Sequence, residues 1–143
     1  MFSIIFKEKI FDVRLSSSGG FKLNTRGTQK WNYIHEKDIK NFVTILNNTG
    51  KIKLSIPLNE REAFNLPNDM SVFRNLALIT KLLYPENIVI KNNVAVLTSK
   101  IKFEHDDFIL RRNKLLTSEN RIFTLHGEKI LTTNKKQTKL TQF

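Results

Sequence analysis

The chain contains no cysteine, which removes disulfide frameworks, thiolate zinc sites and thiol catalysis from consideration. Its five glycines form no G-x-G-x-x-G and no G-K-[ST], so the phosphate-cradling loops of nucleotide hydrolases are missing. No run approaches the roughly 18 to 20 apolar residues of a spanning helix, and the basic residues are spread along the chain rather than gathered on one amphipathic segment. Acidic residues are scarce as well: 13 Asp and Glu stand against 24 Lys and Arg, leaving +11 at pH 7. That excess is well above what solubility asks of a small domain and points to a polyanionic partner, with nucleic acid ahead of lipid.

What is present is enough for one core. A length of 143 residues with 40% hydrophobic content closes a single domain without metal or disulfide support. The opening MFSIIFKEKIF is interrupted by Lys7, Glu8 and Lys9, so it lacks the apolar stretch of a signal peptide and reads as mature structure. Lysine far outnumbers arginine, and Asn, Ile and Phe are abundant, as in proteins encoded by A/T-rich DNA. An organelle, a phage, a plasmid or an A/T-rich bacterium all fit that bias.

Periodicity sets out the elements. Residues 2–15 alternate loosely, SSSGG at 16–20 supplies turn chemistry, and a second strand follows around FKLNT. QKWNYI at 29–34 reads as a short aromatic strand. Ile39, Phe42, Val43 and Leu46 then mark one face of a helix from about Glu36 to Asn48, with Glu36 and Asp38 in its first turn and Gly50 as its stop. In KIKLSIPL, Ile52, Leu54, Ile56 and Leu58 share one strand face while Lys51, Lys53, Ser55 and Pro57 share the other; Pro57 puts this segment at a sheet edge or leads it into a projecting loop. A second helix, capped by Asp69 or Ser71, turns a stripe of Val72, Leu76, Ile79 and Leu83 inward and ends at Pro85. NIVIKNNVAVLTSKIKF reads as a hairpin turning at Asn92–Asn93. The expected fold is therefore α+β: a ferredoxin-like split βαββαβ core over 29–99, an N-terminal β-hairpin extension over 1–28, and a basic C-terminal extension over 100–143 whose first part reads equally as strand or helix.

Few residues suggest chemistry. Glu104, His105, Asp106 and Asp107 form the only dense group of metal-type ligands, but neighbours on a strand point to opposite faces and no second acidic cluster completes a site, so an exposed loop is the expected reading. His35 and His126 stand alone. No catalytic, metal or cofactor residue is assigned.

The basic and aromatic material is richer. Lys22, Arg26 and Lys30 flank Trp31 and Tyr33; Arg111, Arg112 and Lys114 form a compact triad; Lys135 and Lys136 mark the tail. With Lys51, Lys53 and Arg61 these are the candidate nucleic-acid contacts, since cations on phosphates release counterions and exposed rings stack unpaired bases. Each aromatic ring reads first as core filling, with stacking as the alternative.

One segment resembles a known family. The helix end NNTG running into KIKLSIPLNEREAF is similar to a stretch of ribosomal protein ten of the small subunit, the NusE family, with Thr49, Gly50, Ile56, Pro57, Leu58, Arg61 and Phe64 at the matching positions and Asn59 in place of the motif's second proline. The resemblance implies the split βαββαβ fold, a hairpin extension around Pro57–Arg61 that enters folded ribosomal RNA, and contacts with neighbouring ribosomal proteins. On that basis the expected function is a non-enzymatic, structural RNA-binding component of an organellar ribosome in the mitochondrial matrix, with no membrane and no small-molecule substrate. The alternative is a single-stranded-DNA-binding or transcription-accessory protein of a phage or plasmid, acting in the cytoplasm.

Overall fold

A computed structural model describes residues 1–54, 70–117, 121–126 and 129–134. The fold is mixed α+β, opens with an antiparallel hairpin, and carries three helices and two sheets among the described residues. β1 (Phe2–Phe6), β2 (Lys9–Leu15), β3 (Phe21–Thr25) and β4 (Trp31–Ile34) run as an antiparallel meander, with short turns joining neighbours in sequence to neighbours in space. β8 (Arg121–His126) returns to lie parallel to β1 and pairs in turn with antiparallel β9 (Lys129–Asn134), giving the order β4-β3-β2-β1-β8-β9. A separate sheet of order β5-β7-β6 is built from β5 (Lys51–Lys53), β6 (Ile88–Lys91) and β7 (Val94–Leu97).

Several elements form where periodicity places them, but the single strand expected over 2–15 is two, β1 and β2, because the chain turns back at Lys7–Glu8, where Lys7 takes φ 54°. α1 (Glu36–Thr49) buries Ile39, Phe42, Val43 and Leu46; the Asp38 carboxylate accepts the His35 backbone N–H at 2.8 Å, and Gly50 ends the helix at φ 80°. Asn92 and Asn93 take φ of 52° and 60°, the left-handed pair that a two-residue hairpin turn demands. The HDDFILRRNKLL segment is helical, α3 (His105–Leu116), with acids in its first turn.

Two further expectations are revised. The strands before and after α1 do not share one sheet: β4 belongs to the large sheet, whereas β5 and β6 belong to the small one. Local meander pairing claims β4 first, so β5 pairs instead with the β6–β7 hairpin. The hydrophobic interior also ignores boundaries at 28 and 99. Phe2, Ile4, Phe11, Val13, Phe21 and Leu23 are fully buried in the same cluster as Phe42, Leu78, Phe108 and Phe123. The first 28 residues thus supply the floor of the core.

α2 (Met70–Leu83) occupies the centre. A single inward stripe was expected, yet every residue from Asn75 to Tyr84 is buried. α2 touches α1, α3, β4 of the large sheet and β6 of the small one, which leaves it no solvent face. Two of its buried polar residues are absorbed locally: Thr80 Oγ1 donates to the Leu76 carbonyl at 2.7 Å, and Lys81 Nζ donates to the Pro85 carbonyl at 3.0 Å and to the Ile88 carbonyl, whereas the buried Asn75 Nδ2 finds no hydrogen-bond acceptor among the described residues. A buried ammonium is tolerated here because it satisfies carbonyls beyond the helix end. Among the described residues no helix is long and apolar enough to cross a membrane.

Two predictions follow from the packing. A Cβ on Gly20 would stand 2.2 Å from the Ile34 carbonyl oxygen, where β3 and β4 begin to pair. Gly20→Ala is expected to lower unfolding free energy by about 2–3 kcal/mol in urea titrations. At Gly27, with φ +96° but open space, alanine should cost only about 1 kcal/mol.

Burial, helped by Asp107, pushes the Tyr84 phenol up to about 12. The folded state thus holds the phenol neutral while the unfolded chain ionises it near the ordinary tyrosine value of 10.0. Stability from this group is complete below that value and is lost as pH rises toward about 12. Since the buried hydroxyl has no hydrogen-bond partner, Tyr84→Phe should leave stability at neutral pH within about 0.5 kcal/mol and flatten its alkaline decline.

Candidate nucleic-acid interface

Side-chain alternation gives the large sheet one buried face and one outward face. Phe11, Val13, Leu23 and Ile34 point into the core; Asp12, Arg14, Lys22, Trp31 and Tyr33 take the other side. Cross-strand register arranges these into rows. Arg14 stands opposite Lys22, which stands opposite Tyr33; Asp12 stands opposite Asn24, which stands opposite Trp31. Toward β1 and β8 the same face becomes aliphatic, through half-buried Ile5, Ile10 and Ile122.

The row containing Arg14 and Lys22 is electrostatically unusual. Like charges directly opposite each other on a sheet repel, and neither cation has a carboxylate partner among the described residues. Both instead lie over the Trp31 ring, the Arg14 guanidinium and the Lys22 ammonium each 5.3 Å from its centroid. Trp31 is thus occupied by its own cations. Tyr33, 55% exposed, has no cation over it among the described residues and offers its ring to solvent. Asn24 Nδ2 donates to the Thr28 carbonyl at 2.9 Å and to the Lys30 carbonyl at 2.8 Å, which fixes the 26–30 loop and the point where β4 begins.

The candidate cations separate into different roles. Arg26 is neutralised by Asp12 at 2.7 Å, a hydrogen bond that raises the guanidinium pKa further, and Asp12 also accepts from Ser3 Oγ at 3.0 Å. Lys30 is exposed at the entry to β4. Lys51 and Lys53 project from the outward face of the small sheet, away from this site. The 111–114 triad is dispersed, because successive residues on a helix point about 100° apart. Arg111 binds Asp107 at 2.8 Å and the Leu83 carbonyl at 2.8 Å, with its guanidinium 4.6 Å from the Tyr84 centroid. Arg112 donates to the Gly19 carbonyl in the β2–β3 turn. These two arginines fasten α3 to the body. Lys114 stands with Arg111 beside a cleft of about 530 Å³ whose lining also holds Arg121, Glu86 and Asp107. Arg61, Lys135 and Lys136 lie outside the described residues.

The acidic cluster also disperses around the start of α3. Glu104 pairs with Lys102 at 3.2 Å, His105 Nδ1 meets Glu36 at 2.7 Å, and Asp107 is taken by Arg111. Among the described residues no three metal-type ligands converge.

Arg14 was not among the sequence candidates, although a signal for it exists. If SSSGG turns the chain about Ser18, positions equally distant from that residue face each other, and Arg14 meets Lys22. Comparison with protein families, curated proteins and solved structures finds no match for this chain.

Trp31→Ala is expected to lower unfolding free energy by about 1–2 kcal/mol, since it removes the ring under two cations. Arg14→Ala and Lys22→Ala should each shift it by no more than about 0.5 kcal/mol, relieved repulsion offsetting the lost ring contact. Chemical denaturation of the three variants distinguishes these outcomes.

Proposed function

We propose that the protein is a non-enzymatic nucleic-acid-binding protein that holds a single-stranded segment across the outward face of β2, β3 and β4. One observation carries this reading: two cations without carboxylate partners among the described residues are held side by side next to a solvent-facing tyrosine. Phosphates relieve the repulsion between Arg14 and Lys22, and an unpaired base stacks on Tyr33. Trp31 positions the cations. Paired bases are already stacked on one another and cannot reach such a ring, so the site favours unpaired strands.

The narrower reading, a structural component of the small ribosomal subunit, rests on the resemblance of residues 49–64 and uses the same phosphate chemistry. It adds a requirement of its own, sedimentation of the native protein with ribosomal particles. Sedimentation with replication or transcription proteins would instead favour the strand-binding alternative.

Fluorescence anisotropy with uridine and thymidine oligomers of about 12 nucleotides tests the site. Tyr33→Ala should weaken binding about tenfold, and Arg14→Ala and Lys22→Ala should each reduce the slope of log affinity against log salt by about one. Unchanged affinity in all three variants, or no binding by the parent protein at low salt, would overturn the proposal.

A further inference from the structure

The small sheet also presents an outward face, and its chemistry differs from the first. Register places Lys51 opposite Val96 and Lys53 opposite Val94; across β7, Val94 faces Lys91 and Val96 faces Val89. Alternation sends these six side chains outward, while Ile52, Ala95, Ile88 and Ile90 are buried on the other side. The result is a strip of half-buried valines with an exposed lysine row on β5 and a further exposed lysine on β6. Among the described residues Lys51 and Lys53 make no ion pair or hydrogen bond through their side chains. Their backbone attachment points follow one strand face about 6.8 Å apart, two residues of β rise. No aromatic ring and no carboxylate stands among the six.

We infer that this face is a second nucleic-acid contact, directed at the phosphate backbone of a base-paired segment. The argument is charge complementarity combined with the missing ring. A surface with cations and no aromatic residue has nothing on which to stack an unpaired base, but it is suited to a duplex, whose bases are hidden and whose backbone presents regularly spaced anions. Among the described residues of this face the only charged side chains are lysines, which disfavours another strongly basic surface, such as a second copy of this +11 chain, as its occupant. The two sheets border one shared core, and each keeps its other face outward. The protein then engages a paired and an unpaired segment of one folded polynucleotide at once. The duplex face does not require the reading of the first face to hold.

The test uses the full chain, an RNA duplex of about 20 base pairs, and a uridine oligomer of about 12 nucleotides, each followed by anisotropy. The double variant Lys51→Glu with Lys53→Glu should weaken duplex binding at least tenfold and leave oligomer binding within about twofold. Lys37→Glu with Lys40→Glu, on the exposed side of α1, makes the same change in net charge elsewhere and should alter duplex affinity no more than about threefold. Tyr33→Ala should spare the duplex. Thermal melting checks that each variant is folded. Duplex affinity unchanged by the β5 substitutions, equal loss of both ligands, or equal loss in the α1 control would overturn the inference. A failure confined to the oligomer would instead count against the first face alone.

Discussion

A helix buried on every side constrains everything packed around it. From Asn75 to Leu83 every residue of α2 is buried, so its apolar side chains must be covered from several directions at once. The covering is done by α1, α3, the large sheet through β4 and the small sheet through β6. Each sheet therefore spends one face on the shared interior and keeps one face outward. Lys81 persists inside this arrangement because the carbonyls of Pro85 and Ile88 are in reach of its ammonium.

The same constraint sorts the positive charge. Arginines near the interior are used as fasteners: Arg111 ties α3 to the end of α2, and Arg112 ties it to the β2–β3 turn. Arg26 is matched by the single carboxylate on its stretch of sheet. Among the described residues, the cations left outward without a carboxylate partner include a pair beside rings on one sheet and a lysine row beside valines on the other. These faces differ in aromatic content, and the two proposed binding modes rest on that difference.

Much of the local structure was legible from residue order. α1 could be read with its stop at Gly50 because a four-residue apolar stripe and a left-handed cap are both short-range signals, and the Asn92–Asn93 turn was visible for the same reason. The path of β4 was not legible, since a short aromatic strand can pair with whichever edge reaches it first. α3 was ambiguous because its apolar face is narrow, with Phe108 its only fully buried residue. At the site, Lys22 was identified but Arg14 was passed over, and the 111–114 group looked like a patch until helical geometry turned its members apart.

Residue order alone determined the α+β character, the basic excess and the positions of caps and turns, because each depends on composition or on neighbours within a few residues. Only the tertiary structure decided that the first strands floor the core, that β4 and β5 join different sheets, and that Arg14 and Lys22 share one tryptophan. Those outcomes depend on pairing between distant segments, where packing around α2 selects among registers and edges that local sequence leaves equally available.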